Sequence, residues 1–272
     1  MRSEYINVFK RHEIKYLLTN EQLEKFESII GEYLEPDPHG GSKVLSVYYD
    51  TPNFRLIRRS LEKPPYKEKL RVRSYGTATD ESIVFLELKK KYKGTVYKRR
   101  IELSDRDAEM YMSGKAPLPQ KSQIGREIDY FRQFYGTLVP QVYIDCDRRA
   151  YFSKDDPNLR VTFDQNIEYR TDNVSLKNAP GGRKILPDGV TLLEIKAANA
   201  VPLWMVEAIN ECRLRKTSFS KYGTAYIQLL SESLEKAPRR AAAPATKYIP
   251  QTAKSARAGL RGLEYTNGSE RI

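Results

Sequence analysis

Two cysteines, two histidines and one tryptophan are all that 272 residues hold of those types. Cys146 and Cys212 are too few for a disulfide framework or a zinc cluster, so two reduced, half-buried thiols in a reducing compartment are expected. His12 and His39 cannot build a histidine-based centre. Long hydrophobic runs are missing as well. Charge interrupts even the opening MRSEYINVFKRHEIKYLL, and no window approaches the ~18 apolar residues of a membrane span, which predicts a soluble cytoplasmic protein without a transmembrane segment. The chain contains no G-x-x-x-x-G-K-[ST] phosphate loop, no G-x-S-x-G nucleophile turn, no H-E-x-x-H metal helix and no solenoid repeat.

Positive charge and tyrosine are abundant. Lys and Arg number 47 against 35 acids, a formal net charge of +12 that points to a polyanionic partner, and 19 Tyr suit a folded, strand-rich chain. Nucleic acid is the default partner of a basic protein. Here the aromatics fall mostly on apolar strand faces rather than on a stacking platform, and no recognition motif occurs, so nucleic acid is not expected. From about residue 235 the composition turns to Ala, Pro, Lys and Arg without periodicity. Residues 1–234 are therefore read as one domain and 235–272 as a basic, disordered tail, either solvated or a second contact with a polyanion.

Alternation is the main structural signal. Lys67, Lys69, Arg71 and Arg73 recur every second residue, so a strand would turn all four to one side. In VFLELKKKYKGTVYKRRIEL, Glu87, Lys89 and Lys91 oppose Leu86 and Leu88; after a turn at Gly94, Lys98, Arg100 and Glu102 oppose Arg99, Ile101 and Leu103. Similar strands are predicted over 8–18 (Arg11, Glu13 and Lys15 opposite Ile14 and Tyr16), 43–50, 141–152, 159–170 (Arg160, Thr162 and Asp164 opposite Leu159, Val161 and Phe163) and 191–197 (Leu192, Glu194 and Lys196 opposite Leu193 and Ile195). Helices are predicted after Thr19, as N-cap with Gln22 completing a capping box, over 105–112, through REIDYFRQFY with Ile124, Ile128 and Phe131 inside, and from Pro202 to about Arg215 with Leu203, Val206 and Ile209 inside. EPDPHGGS and NAPGGRKILPDG read as loops.

A strand with one apolar face ordinarily shows its polar face to water, and surface ion pairs on such a face are individually worth little. Several such strands together suggest another arrangement. If helices cover the apolar faces, an α+β fold follows in which a closed antiparallel barrel of about eight strands encloses the charges. Buried charges must be paired, solvated or met by a ligand. Bases outnumber acids on these faces, so an anion is the expected occupant, and the planar fork of Arg suits phosphate oxygens. Glu194 is the first candidate for a divalent metal bridging to phosphate.

The stretches FKRHEIKYLL, SVYYDTPNFRL, LRVRSYG, FLELKKKYKGTVYKRR, DRRAYF, LRVTFD, LLEIKA and SFSKYGTAY, in that order over roughly residues 7–230, resemble the VTC (vacuolar transporter chaperone) polyphosphate polymerase domain, related to the CYTH triphosphate tunnel metalloenzymes. The resemblance implies a basic tunnel in which a terminal phosphate attacks the γ-phosphoryl group of ATP, with Mn²⁺ or Mg²⁺, to extend inorganic polyphosphate. It implies that Lys15, Arg71, Arg73, Lys89, Arg148 and Arg160 act on the transferred phosphate, that Lys98, Ser220 and Lys221 bind phosphate, and that Glu194 holds the metal; Lys69, Arg100 and Lys196, which share the polar strand faces by alternation, are further candidate phosphate-binding residues. Cys146 stands where the family usually has tyrosine. Arg148 shares parity with Val142 and Ile144, so turning it inward calls for a bulge or a mixed face. Two alternatives stay open: a tunnel triphosphatase, whose usual E-x-E-x-K is here Arg11-His12-Glu13-Ile14-Lys15, and a non-catalytic polyphosphate-binding module, which would not need Glu194.

Overall fold

The computed structural model describes residues 12–93, 95–198 and 200–236. Arg11, the turn at Gly94 and the basic tail beyond residue 236 lie outside the described residues. Along the chain run β1 (His12–Leu18), α1 (Asn20–Ile30), β2 (Leu34–Asp50), α2 (Arg55–Leu61), β3 (Tyr66–Tyr75), β4 (Ile83–Tyr92), β5 (Thr95–Ser104), α3 (Asp105–Met112) and α4 (Gln123–Tyr135). They continue with β6 (Val139–Ser153), β7 (Arg160–Arg170), β8 (Arg183–Lys184), β9 (Thr191–Ala197), α5 (Leu203–Glu211), β10 (Lys216–Thr217) and α6 (Lys221–Lys236). Described residues through Glu232 make one compact unit, and the last turn of α6 from Ser233 falls in a second.

Local chemistry sets several boundaries where the sequence places them. Thr19 accepts from Gln22 N, and the Gln22 side chain accepts from Thr19 N, a complete capping box at the start of α1. Ser104 caps α3 at Asp107 N, and Ser122 caps α4 at Gly125 N.

Ten strands form one antiparallel sheet in the order β10-β1-β9-β7-β6-β2-β3-β4-β5, with β8 paired to β7. This corrects the expected closed barrel of about eight strands: among the described residues β5 and β10 are not hydrogen-bonded, so the sheet is open. It curls enough for Lys89 on β4 to reach Glu13 on β1 at 3.4 Å. The chain from β10 into α6 links β1 and β3 across the concave side. There the Phe219 carbonyl accepts from Lys15 Nζ at 3.1 Å, while Ser220 Oγ accepts from Lys69 Nζ at 2.8 Å.

The convex face is apolar and covered. Tyr16, Leu18, Val161, Phe163, Leu193 and Ile195 pack under α1 and α5, and Val72, Leu86, Leu88 and Leu103 pack under α3 and α4. Helices were expected only outside, yet α6 lies on the concave face, where Tyr222, Ala225 and Tyr226 cover Val44, Val142, Ile144 and Cys146. One end of the groove is thereby filled.

Three smaller expectations are corrected. EPDPHGGS is part of the 17-residue β2, which keeps its pairing to β6 through a register break between Pro36 and Gly41; the break accommodates residues that lack an N–H. In α5 the buried residues are Met205 and Ala208, while Leu203 is 79% exposed and Val206 also faces out; Ile209 does pack on the core. Both thiols are buried rather than half-buried.

Candidate phosphate-binding groove

Cross-strand partners share a face, so the register assembles the site row by row. Lys15 lies opposite Glu194, Glu13 opposite Lys196, and Lys196 opposite Arg160. Arg148 lies opposite Asp164. Arg71 lies opposite both Tyr48 and Glu87, Arg73 opposite Ser46, Glu87 opposite Arg100, and Lys89 opposite Lys69 and Lys98.

Arg148 needs no bulge of its own. Val142, Ile144, Cys146 and Arg148 all face the concave side because α6 gives that end an apolar partner, so a single strand face passes from apolar to charged. The irregularity falls on β7 instead, where Asn166 at φ +47° shifts the register between Asp145 and Asp147 of β6. As a result Asp164, Ile167 and Tyr169 all face inward.

Two clusters emerge. The first is rich in acids. Lys15 Nζ lies 3.1 Å from Glu13 and 3.0 Å from Glu194, and Lys196 Nζ lies 3.2 Å from the other Glu194 oxygen. Arg148 grips Asp164 through two bonds of 2.6 Å and comes within 4.0 Å of Glu194. Lys221 bonds Asp164 and lies 3.7 Å from Glu194. Burial raises these carboxyls, but the surrounding cations outweigh it: Lys89, Lys15 and Lys196 hold Glu13 at about 2, and Glu194 also sits well below the ordinary carboxylate range.

The second cluster is rich in bases. Glu87, 1% exposed at its side chain, receives Arg71 at 2.6 Å, Lys98 at 2.5 Å and Arg100 at 3.6 Å. Arg71 also donates to Tyr48 Oη at 3.1 Å. Arg73 is buried, and its hydrogen bond goes to Ser46 Oγ at 3.2 Å; burial and then Arg71 lower its pKa. Among the described residues Lys69 bonds a hydroxyl, Ser220 Oγ, and no carboxylate. Burial, then Lys89, Lys15, Lys67 and Arg71, push its ammonium down to about 7. One buried and one half-buried cation thus face the groove with hydroxyls rather than carboxylates as partners.

Twelve of the thirteen residues singled out from sequence converge on this groove, from Lys15, Lys69, Arg71, Arg73, Lys89, Lys98 and Arg100 to Arg148, Glu194, Lys196, Ser220 and Lys221. Arg160 shares their face but stands at the rim, bonded to Asp37. Sequence reasoning passed over Ser46 and Tyr48, which orient Arg73 and Arg71. Their alternation in KVLSVYYD was the available signal, and only the pairing with β3 shows which face it belongs to. Cys146 is on the concave wall, but burial and then Asp164 push its thiol up to about 11, so it is a packed, protonated side chain and not a nucleophile.

Among the described residues, no group of three His, Cys, Asp or Glu is placed to hold a metal. Both Glu194 oxygens are engaged by ammonium groups. This donor set fits a divalent ion carried in on phosphate oxygens, with Glu194 supplying one carboxylate and Glu13, which shares Lys15 with it, a second; it does not fit an all-protein cage. No helix among the described residues is long and apolar enough to cross a membrane.

Comparisons with known proteins bear on the same residues. The vacuolar transporter chaperone complex subunit 4 of Trypanosoma brucei brucei is 24% identical over 220 residues, covering 67% of this chain and 28% of that protein. Its Trypanosoma cruzi counterpart is 22% identical over 278 residues, covering 82% and 34%. The chain therefore spans about a third of the length of the curated relatives it matches. Among solved structures, an adenylyl cyclase candidate from Hippeastrum described as having a dominant triphosphatase activity overlaps at a TM-score of 0.47 with 14% identity, covering 80% of this chain and 96% of that one. A Bacillus halodurans structure described as an adenylate cyclase candidate overlaps at 0.42 with 13% identity, covering 84% and 90%. The VTC domain profile matches residues 10–230, a span that takes in both charged clusters and every strand of the sheet; the chain belongs to the VTC domain family.

Proposed function

We propose that the groove binds the triphosphate of ATP and an inorganic polyphosphate chain, and that the protein transfers the γ-phosphoryl group from one to the other. The observation that carries this reading is the pair of cations, buried Arg73 and half-buried Lys69, that face the groove without a carboxylate bond. An anion with many oxygens supplies what they lack. Family membership and the trypanosomal relatives support the same substrate class.

In this reading Arg71, Arg73, Lys98 and Arg100 hold the donor triphosphate, with Arg71 aimed by Glu87 and Tyr48. Lys15, Lys69, Lys89, Lys196, Ser220 and Lys221 position the acceptor phosphate, and Arg148 is fixed between Asp164 and Glu194 beside it. Arg160 guides anions in at the rim. An ionised terminal oxygen of the acceptor attacks the γ-phosphorus, the bond from that phosphorus to the β,γ-bridging oxygen breaks, and its electron pair leaves on ADP. No proton must be removed from the nucleophile. Catalysis then consists of positioning and of stabilising charge on the equatorial oxygens, which the guanidinium groups supply. A divalent ion, Mn²⁺ or Mg²⁺, would be held by Glu194 and would neutralise phosphate charge when bound. Residues 1–234 form the catalytic domain in this proposal and 235–272 a basic tail.

Purified protein incubated with ATP and either metal, with polyphosphate and free phosphate followed in parallel, tests the assignment. Chains that form with wild type and fall at least ~100-fold with Glu194→Gln are the expected result. Phosphate without chains would replace the polymerase by a triphosphatase. Tight triphosphate binding with neither product would leave a binding module, a reading that the full ion pairing of Glu194 favours.

A further inference from the structure

The cationic wall does not end at Arg73. Strand alternation carries the same face on to Tyr75, about 7 Å further along β3, and the partner of Arg73 on β4 is Phe85. The two rings meet edge to face, with centroids 5.8 Å apart and planes at 75°. The Arg100 guanidinium lies 3.3 Å over the Phe85 ring, so one face of Phe85 is occupied. Tyr75 is 52% exposed, and its cross-strand partner on β2 is Val44.

One exposed aromatic ring is ordinary on a protein surface. Three observations separate this one from that background. Phe85 fixes the orientation of the ring, and Arg100 in turn fixes Phe85. The Nε of Arg100 is buried and faces Glu87 Oε1 at 3.6 Å, so the guanidinium is held between that carboxylate and the Phe85 ring where the cationic wall meets the aromatic pair. Finally, Glu102 is the cross-strand partner of Phe85 on the same face, and its carboxylate disfavours another phosphate at this point. The groove therefore changes from a surface that suits phosphate to one that suits an uncharged, planar group within about two residues.

We propose that Tyr75 is a stacking platform for the base of a nucleoside triphosphate whose phosphates lie against Arg71, Arg73 and Arg100. The inference rests on the function proposed above and deepens it, because it makes a nucleotide, rather than bare tripolyphosphate, the preferred donor. Stacking is tolerant of base identity, since every base presents a π face. The platform therefore favours nucleotides as a class without selecting adenine.

Calorimetric titration of wild type, Tyr75→Ala and Tyr75→Phe with ATP and with inorganic tripolyphosphate, at one magnesium concentration, tests it. Tyr75→Ala should weaken ATP about 5- to 30-fold and change tripolyphosphate by less than about twofold, while Tyr75→Phe keeps the ATP affinity. Equal weakening of both ligands, or unchanged ATP affinity in Tyr75→Ala, overturns the platform and leaves the phosphate groove standing. A wild-type protein that binds neither ligand overturns both.

Discussion

Lys69 shows how a single side chain in the groove ties charge to function. Its ammonium titrates near 7 in the free protein because burial and four neighbouring cations oppose the charge. A bound triphosphate favours the charged form and raises that pKa, so binding takes up a proton wherever the free lysine has lost one. Affinity for ATP should therefore fall as pH rises from about 7 to 9, a range above the last ionisation of its terminal phosphate at about 6. Proton uptake should appear as a dependence of the binding heat on buffer ionisation at about pH 8. Lys69→Met should bind more weakly at pH 7 and lose most of this pH dependence; the same slope in the variant would show that another group is responsible. Lys98 is also lowered, to about 8, by burial and then, against the pull of Glu87, by Arg71 and Arg100. Its side chain is 46% exposed, which makes Lys69 the more sensitive reporter.

At the scale of an element, α6 decides the shape of the groove, and one buried carboxylate anchors it. Asp50, at the end of β2, accepts from Thr51 N, Leu56 N and Ile57 N at the start of α2 and from Tyr222 Oη of α6 at 2.9 Å. Tyr222 also stacks on Tyr48 with centroids 4.7 Å apart, and Tyr48 orients Arg71. A strand, two helices and a groove arginine thus share one network. Tyr222→Phe keeps the ring and removes one donor from a fully buried carboxylate, which should lower the unfolding free energy by about 1.5–3 kcal/mol in urea titration. Unchanged stability would mean that Asp50 is satisfied without α6. Burial of Tyr222, Ala225 and Tyr226 against the concave apolar end then remains as the force holding the helix there.

For the whole molecule, the governing fact is a concave face on which cations outnumber carboxylates, drawn together by a sheet that curls without closing. Ligand binding and stability are linked by mass action. Tripolyphosphate at about one hundred times its Kd should stabilise the fold by about 2.7 kcal/mol, a rise in Tm of roughly 5–10 °C for a chain of this size. Screening weakens ionic attraction, so the rise should shrink when NaCl goes from about 50 to 500 mM. A shift indifferent to salt in thermal melts would point to a site not built on these charges.

The alternation of charged and apolar residues was enough to determine the longer strands, the faces of β1, β3, β4, β5 and β9 and nearly all the groove residues, because side-chain direction in a strand follows from parity alone; the two-residue β8, inside the segment read as a loop, and β10 are too short to alternate. Parity has no reach beyond one strand. It could not show that EPDPHGGS stays in the sheet, since a prolyl segment is held there by pairing with β6 and a register break. Nor could it resolve Arg148, whose face is apolar at one end only because α6 packs against it. Closure, too, was decided in three dimensions: β5 and β10 do not pair, and the segment from Lys216 to Lys221 links the two sides of the curled sheet through Lys15 of β1 and Lys69 of β3. The charges were written into the sequence, but which of them meet a carboxylate and which are left for an anion depends on distances that only the folded sheet sets.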